Sequence, residues 1–402
     1  MKQGHTLQAL LIAATIAAIG LTASQEASAQ TPPATATPAA SASPTPAPTP
    51  FASGTIGGVL YLYGIQSYAP NATGALDTAT GADRQGRDDT SDMLVNAAYT
   101  SGLFKASITG GGYSFPTIGQ AINPTFQSCT GSACVNTNAY SAVPLASIAY
   151  TSKDQHLTVI AGKLGTMLGA EGIFTYQNVN VQRGLAWALE PVISRGVHVG
   201  YANGPWSVAL EDSDGYYSGS HRAIEYSFGW APSSTTSLTF VGINPGGNTP
   251  GNPTAGIANK SEYNLMYAHT AGKWQFSPYV LWVTSPSSAA LGYATSESAW
   301  AASLLGSYTF SSQYSLGFRI ENVSNRSSTS DAGLNADLIG YGPGSGATTF
   351  TLTPTYKFAT YGMARIEFSH VGLRNALPGI AFGPAGTATT QNRIGIELGV
   401  MR

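Results

Sequence analysis

Charge is the scarcest feature of this 402-residue sequence. Asp, Glu, Lys and Arg make up 9% of the residues, whereas about 25% is typical of globular domains. A formal net charge of −2 at pH 7 supplies no basic surface, so we expect no nucleic-acid partner. The six histidines are scattered singly, and none has an Asp and a Ser in register. The sequence therefore argues against a hydrolytic triad and against an enzyme.

Long apolar runs are equally scarce. Leu7 to Leu21 is almost unbroken, but it is short for a membrane-spanning helix, and Ala27-Ser28-Ala29 follows it. A basic start, a short apolar run and small residues before a cleavage point are typical of a secretory signal peptide. We predict a signal peptide over residues 1–29. Residues 30–50, rich in Pro, Ala and Thr, are then expected to form an extended periplasmic linker.

Only two cysteines are present, Cys129 and Cys134. In an exported chain, a pair at this spacing favours a short disulfide loop. A metal site needs more ligands, and no histidine or third cysteine lies beside the pair. We therefore predict a disulfide, no metal and no cofactor.

Glycine and tyrosine are plentiful, with 47 and 21 residues, and the mean hydropathy is close to zero. No second apolar run of 18 residues follows the first, so a helical membrane protein is excluded. A closed β-barrel is the other structure that satisfies every backbone polar group in lipid. Residues 51–402 are thus predicted to form an all-β, antiparallel, up-and-down transmembrane barrel in the outer membrane.

Period-two alternation supports about 16 strands. In the strand near 391–402, for example, Ile394 and Ile396 oppose Arg393 and Glu397. The predicted strands lie near 54–67, 91–100, 103–113, 143–151, 156–164, 193–202, 205–213, 221–230, 236–243, 261–270, 273–285, 295–309, 313–324, 347–358, 362–371 and 391–402.

The connections between these strands alternate in length. Every even-to-odd link is a tight turn, such as Ala202-Asn203-Gly204, and every odd-to-even link is longer, the longest running to about 29 residues by these spans. Short turns at one end and long loops at the other are typical of an outer-membrane barrel with periplasmic turns and extracellular loops. A barrel of about 16 strands is wide enough to leave an aqueous channel.

One stretch resembles a known family. It contains Gly162-Lys163-Leu164-Gly165, Gly169-Ala170-Glu171, Asn178 to Gly184 (NVNVQRG) and Pro191 to Tyr201 (PVISRGVHVGY). This stretch is similar to the putative β-barrel porin-2 family of outer-membrane proteins. The resemblance implies a secreted outer-membrane channel and names no substrate. It is most specific in residues 162–211 and weaker across the rest of 51–402.

The third long loop, predicted at about 165–192, follows the resemblance. By analogy with general porins, it is expected to fold into the lumen and narrow a water-filled channel for small hydrophilic solutes or ions. Its charged and amide side chains would form the constriction: Glu171, Asn178, Asn180, Arg183 and Glu190. The alternative is an external loop at the rim, with the two asparagines serving only turns.

Strand charges fall on the face opposite the bulky apolar residues. Because a Lys or Arg facing lipid at mid-membrane costs about 2–4 kcal/mol, these charges should face water in the lumen. The predicted lumen charges are Lys105, Arg319, Glu321, Arg365, Glu367, Arg393 and Glu397. The arginines could set ion selectivity, or each could pair with a Glu two or four residues along its strand.

Aromatic residues near strand ends, among them Tyr61, Tyr63, Trp206, Trp274 and Trp282, are predicted to form interfacial girdles. The expected partners are outer-membrane lipid, lipopolysaccharide and a homotrimer, the last by analogy with 16-strand porins. The competing function is a structural or adhesive barrel with a plugged lumen.

Overall fold

The computed structural model describes residues 53–72, 85–122, 125, 128–130, 133–135, 140–219, 223–246, 260–287, 295–326 and 337–402. The predicted signal peptide and linker lie outside this set. None of the helices among the described residues is long and apolar enough to cross a membrane.

The chain forms a closed antiparallel barrel of 16 strands, as predicted, plus a two-stranded hairpin of β4 (Ser128–Thr130) and β5 (Ala133–Val135). Each barrel strand pairs with the next along the chain, and the first pairs with the last to close the ring. The barrel strands are β1 (Ser53–Tyr68), β2 (Gly86–Ser101), β3 (Phe104–Tyr113), β6 (Leu145–Thr151), β7 (Leu157–Gly165), β8 (Ile193–Asn203), β9 (Trp206–Ser213), β10 (Ala223–Ser233), β11 (Thr236–Pro245), β12 (Ser261–Ala271), β13 (Trp274–Ser285), β14 (Glu297–Thr309), β15 (Tyr314–Asn325), β16 (Gly346–Ala359), β17 (Gly362–Arg374) and β18 (Thr390–Met401).

Connections of two to five residues alternate with connections of nine to 31 residues. Gly204 and Gly272 lie in two of the short turns with φ near +57° and +59° and open space around the Cβ position. Glycine adopts this conformation without steric cost, which favours tight hairpins. Ser53 pairs with Thr100 beside the β2–β3 turn, and Met401 pairs with Val59. Both described termini therefore lie at the end of the short turns, called here the turn end; the opposite end is the loop end.

The two faces of the barrel wall differ in polarity. On β18, Ile394 and Ile396 are 38% and 52% exposed, whereas Arg393 and Glu397 are 2% and 1% exposed. The same alternation recurs on β15 and β17, where arginine and glutamate are buried and Ile320 or Ile366 is exposed. On these strands apolar side chains thus face outward, where lipid would cover them, and charged side chains face the interior.

Several long loops fold back into the loop end of the barrel. An apolar cluster there joins Ile118 of the second loop, Leu185 and Leu189 of the third, Tyr341 of the seventh and Phe382 of the eighth. Tyr341 also donates a hydrogen bond to the carbonyl of Gly119, at 2.5 Å. The loop end is therefore packed by its own connections.

Strand β4 (Ser128–Thr130) pairs with β5 (Ala133–Val135), with Cys129 opposite Cys134 in the backbone register. The side chains of these two residues lie outside the described part of the structure, so the predicted disulfide stays a prediction. The hairpin itself was not predicted.

Two of the predicted girdle residues lie on the wrong face. Tyr61 and Tyr63 are 1% and 3% exposed, and the Tyr61 ring lies 6.0 Å from the ring of Tyr176 in the third loop. They share the inward face with Val59 and Ile65, so their assignment to an outward girdle was wrong. Trp206, Trp274 and Trp282 do face outward, at 49%, 44% and 39% exposure.

Candidate functional site

The third long loop, residues 166–192 as the strands bound it, crosses the interior of the barrel. It leaves β7 and returns to β8, which are neighbours, yet its side chains and backbone contact β15, β16 and β17. Counted around the ring, β16 is eight strands from β8, which places it diametrically opposite in a 16-strand barrel. The loop therefore spans the lumen.

Glutamates of the far wall hold the backbone of this loop. Glu367 of β17 accepts the N–H groups of Val181 and Gln182 at 2.5 and 3.0 Å. Glu321 of β15 accepts the N–H of Leu185 at 3.0 Å. Carboxylates that receive backbone N–H groups form charge-assisted hydrogen bonds, which are stronger than neutral ones.

Arginines of the same wall bind the loop carbonyls. Arg319 Nη1 donates to Glu171 at 2.6 Å and to the carbonyl of Gln182 at 2.7 Å. Arg365 donates to the carbonyls of Asn178 and Thr175 at 2.7 and 3.0 Å. Carboxylates and guanidinium groups thus alternate along the loop and satisfy both its donors and its acceptors.

Arg393 of β18 joins the third loop to the second. Its guanidinium donates to the side-chain oxygen of Gln182 at 2.9 Å and to the carbonyls of Thr117 and Gln120 at 2.9 and 2.6 Å. We call these five wall residues the clamp: Arg319, Glu321, Arg365, Glu367 and Arg393. All five are at most 2% exposed.

The clamp includes direct ion pairs. Arg365 pairs with Glu397, its neighbour across β17 and β18, with Nε 2.7 Å from the carboxylate. Arg319 pairs with Glu171 of the loop and lies 3.5 Å from Glu321 on its own strand. Pairing along one strand, as the sequence suggested, is thus present for Arg319 and Glu321, and further pairs run between strands and to the loop.

Arg183 is the arginine of the loop itself and is fully buried. Its guanidinium lies 5.3 Å from the ring centres of both Phe115 and Trp187, close enough for cation–π attraction. It also donates to the carbonyl of Ile173. Burial lowers the pKa of Arg183 to about 10, an effect opposed by the nearby carboxylates of Asp92 and Glu171.

The backbone around Arg183 ties two loops together. Its N–H donates to the carbonyl of Pro116 at 2.8 Å, and its carbonyl accepts from Ile118 at 3.0 Å. Thr117 forms a parallel bridge with Arg183. The second and third loops therefore enter the barrel as one unit.

The part of the loop nearest β12 carries a carboxyl in an acidic setting. Glu190 is 6% exposed. Burial raises the pKa of Glu190 well above its usual value, and the nearby charge of Glu262 raises it further. Lys260 donates to the carbonyl of Leu189 at 3.3 Å, and burial lowers the pKa of this lysine to about 8, against the opposing effect of Glu262.

The predicted constriction residues all lie inside the barrel. Asn178 binds within the loop, accepting from the Gly172 N–H at 2.6 Å, so it shapes a turn as the alternative reading expected. Asn180 donates to Thr353 of the far wall at 2.7 Å. Glu171, Arg183 and Glu190 are buried. Their role in screening solutes stays a prediction.

The predicted lumen charges separate into two groups. Six of them line the clamp region and contact the loop or one another, so they are buried where the sequence placed them toward water. Lys105 is exposed near the turn end and takes no part in the clamp.

Two wall carboxylates of this region escaped the sequence analysis. Asp92 of β2 accepts from the backbone and hydroxyl of Thr175, at 3.0 and 2.5 Å, and Glu262 of β12 faces Glu190 and Tyr216. Both lie within predicted strands. A carboxylate inside a membrane-spanning strand is expected to face the interior, and this rule could have identified them.

With this geometry in place, the family can be identified. A model of the family described as putative beta-barrel porin-2, OmpL-like, matches residues 53–401. The chain belongs to this family. The predicted resemblance is thus confirmed, and it extends over the whole barrel. The protein is therefore a porin-like channel of the outer membrane. A comparison with curated proteins finds no match.

Solved structures of outer-membrane proteins share the porin's fold. DcaP, an outer membrane channel of Acinetobacter baumannii, is 10% identical with a TM-score of 0.56, and the match covers 87% of this chain and 97% of that one. OmpT of Vibrio cholerae, folded in vitro, is 12% identical with a TM-score of 0.54, covering 87% and 98%. OmpF of Salmonella typhi is 9% identical with a TM-score of 0.50, covering 87% and 97%. At these identities the likeness shows the fold alone.

Between the clamp and the turn end, the side chains that face the porin's interior are more exposed than those of the clamp. Several inward side chains there are small and polar: Ser107 and Ser147 share a hydrogen bond at 3.0 Å, and Thr109 donates to Asn96 at 2.7 Å. These four residues are partly exposed, and Lys105 and Lys357 are exposed. The turn-end half is therefore a water-accessible vestibule that leads up to the clamp.

Proposed function

We propose that this porin lets small hydrophilic solutes cross the outer membrane by passive diffusion, and that the third loop sets the narrowest point. The observation that carries this proposal is the loop itself. It crosses the lumen from β7–β8 to the opposite wall and is held there by the buried clamp. A loop fixed by charge-assisted bonds gives a narrow passage of constant size.

The clamp also bears on ion selectivity. Arg319 is paired with Glu171 of the loop and Arg365 with Glu397 of the wall, so little of their charge is available to passing ions. Of the two readings of these arginines, ion selectivity or pairing with a Glu, the ion pairs favour the second. We propose weak ion selectivity and a preference for small neutral solutes.

We propose that the porin is not an enzyme. Four histidines lie among the described residues and have structural partners: His156 contacts the carbonyl of Ala202, His269 contacts Thr236 and His370 contacts Asn392. His198 lies 3.6 Å from Glu211 on the neighbouring strand. No described histidine is thus placed as the base of a serine nucleophile.

Three further proposals concern the rest of the chain and its surroundings. Residues 1–29 would direct secretion, and residues 30–50 would link the barrel to the periplasm. The outward apolar face would contact outer-membrane lipid and lipopolysaccharide. A homotrimer would be assembled through the same outward face.

A specific observation also favours a second function, a structural or adhesive barrel with a plugged lumen. The side chains at the level of the clamp are almost fully buried: Arg183 and Arg319 are 0% exposed and Glu367 is 0% exposed. Burial of this degree leaves no water beside them. The two functions differ in one measurable property, conduction.

Single-channel recording of the refolded full-length barrel in a planar bilayer separates them. We expect steps that are steady but smaller than those of a porin with an open lumen, and a reversal potential near zero in a salt gradient. Protein shown by its heat-sensitive electrophoretic mobility to be folded, yet silent in the bilayer, would establish the plugged barrel instead.

A further inference from the structure

The outward face of the barrel carries a groove on strands β11 to β16 that begins near the loop end and runs toward the turn end. One part, of about 330 Å³, lies beside Trp282 and Trp300, and a second, of about 550 Å³, lies beside Ala302 and Ile320. Leu265 and Val280 line both parts, so the two are continuous.

Small side chains make the floor of this groove. A row of facing residues crosses five strands at one level, from Val280 on β13 to Gly372 on β17. The row reads Val280, Ala302, Asn322, Thr348 and Gly372. Leu304, Ile320 and Phe350 stand on one side of it and are 37–46% exposed. The outward face therefore has a recessed groove here and is not a flat surface.

Two arginines lie at the loop-end edge of the groove. Arg326 follows β15, and its guanidinium lies 5.3 Å from the ring centre of Trp282. Arg374 ends β17 and donates to Thr348 at 3.1 Å and to Asn322 at 3.3 Å, two residues of the groove floor. Both arginines are exposed.

Neither guanidinium has a carboxylate partner among the described residues. A cation on the lipid face costs about 2–4 kcal/mol at mid-membrane but little near the interface, so this edge marks the level of the headgroups. The long loops are extracellular in such barrels, which places this edge of the groove in the outer leaflet.

We propose that this groove binds one molecule of an anionic glycolipid of the outer leaflet, with its phosphates at Arg326 and Arg374 and its acyl chains along the groove. Arg326 follows β15 and Arg374 ends β17, and these strands lie two spacings apart, about 10 Å, which suits a headgroup with two phosphates. Guanidinium groups bind phosphate oxygens in a bidentate manner, and Trp282 and Trp300 lie at the depth where indoles are enriched. Lipid A, a phosphorylated and acylated glucosamine disaccharide, has this chemistry.

The test is native mass spectrometry of the refolded full chain with diphosphoryl lipid A and with its dephosphorylated form as separate probes. We expect one retained lipid A per barrel and weak retention of the dephosphorylated form. The double variant Arg326→Gln/Arg374→Gln should bind lipid A at least tenfold more weakly. Ala302→Trp, which fills the groove and leaves the charges in place, should show the same loss.

The matched control is Lys153→Gln/Lys273→Gln, which removes two exposed cations from the turn end and should bind lipid A as the wild type does. Heat-sensitive mobility establishes that each variant is folded, and the charge and groove variants test the site independently. Unchanged binding by the double arginine variant would overturn the proposal. Equal binding of both probes would do so too, as would a groove covered by a second copy with no lipid retained.

Discussion

Arg365→Met should release the third loop from the wall. Arg365 donates to Glu397 and to the loop carbonyls of Thr175 and Asn178. The substitution keeps much of the side-chain volume, removes these bonds and leaves the carboxylate of Glu397 buried without its cation. Removing one partner of a buried pair typically costs about 3–5 kcal/mol.

Movement of the loop relieves most of that cost, because water then reaches Glu397 and the freed carbonyls. A free-energy change of this size shifts a two-state equilibrium by about a hundredfold to several thousandfold. We therefore expect single-channel records of the variant to show a larger conductance level and more open-channel noise. Swelling of proteoliposomes should extend to sugars that the wild type excludes.

Two further variants separate loop release from a change in lumen charge. Lys357→Met removes an exposed cation from the vestibule without touching the loop and should leave the conductance amplitude unchanged. Arg365→Met/Glu397→Met removes both charges of the pair, so no uncompensated carboxylate remains and the record should return toward the wild type. An Arg365→Met barrel with wild-type amplitude and noise would refute the idea that the clamp fixes the loop.

Three other outcomes follow from the same structure. Glu367→Gln turns an amide N–H₂ toward the N–H donors of Val181 and Gln182 and should destabilise the docked loop by about 1–3 kcal/mol. Proteolysis within residues 166–192 should then be faster, and an unchanged cleavage rate would contradict this. The raised pKa of Glu190 means that the folded state binds the proton more tightly, so stability is greatest below the unfolded pKa of about 4.5 and is lost as pH rises through the folded value. Heat-unfolding midpoints should thus be higher at about pH 4 than at about pH 7, and Glu190→Gln should flatten the difference. Gly162→Ala places a Cβ 2.1 Å from the carbonyl oxygen of Ala146 at φ +150° and should sharply lower the folded yield, whereas Gly102→Ala, with open space at φ +58°, should cost only about 1–2 kcal/mol.

Most of the fold could be predicted from the period-two alternation of the strands and from the residue types of the turns. The 16 strands were predictable because each has an outward apolar row that lipid must cover and an inward row that need not be apolar. The boundary of β2 was missed by five residues: it begins at Gly86 instead of near residue 91. Its first residues are polar and continue the pairing with Tyr63 and Gln66 of β1, so hydropathy gave no sign of them.

For the site, the sequence predicted only that these side chains lie on the inward face of the barrel wall. Parity placed Arg319, Arg365 and Arg393 inward, but their partners lie far away along the chain, as Glu171 does for Arg319, 148 residues apart. No local pattern encodes such a contact. Tyr61 shows the same limit, since its contact with Tyr176 of the third loop leaves no trace in the sequence of β1.

The third loop touches both sides of the seam where the barrel closes. On one side Asp92 of β2 holds Thr175, and on the other Arg365 of β17 and Arg393 of β18 hold Thr175 and Gln182. The first and last strands of the barrel pair with each other across most of the described chain, so this pairing carries the largest loop-closure cost of any in the barrel. A loop already folded on the growing sheet would present a template to both, so shortening it should slow the insertion of the barrel into the membrane even where the finished strands are unchanged.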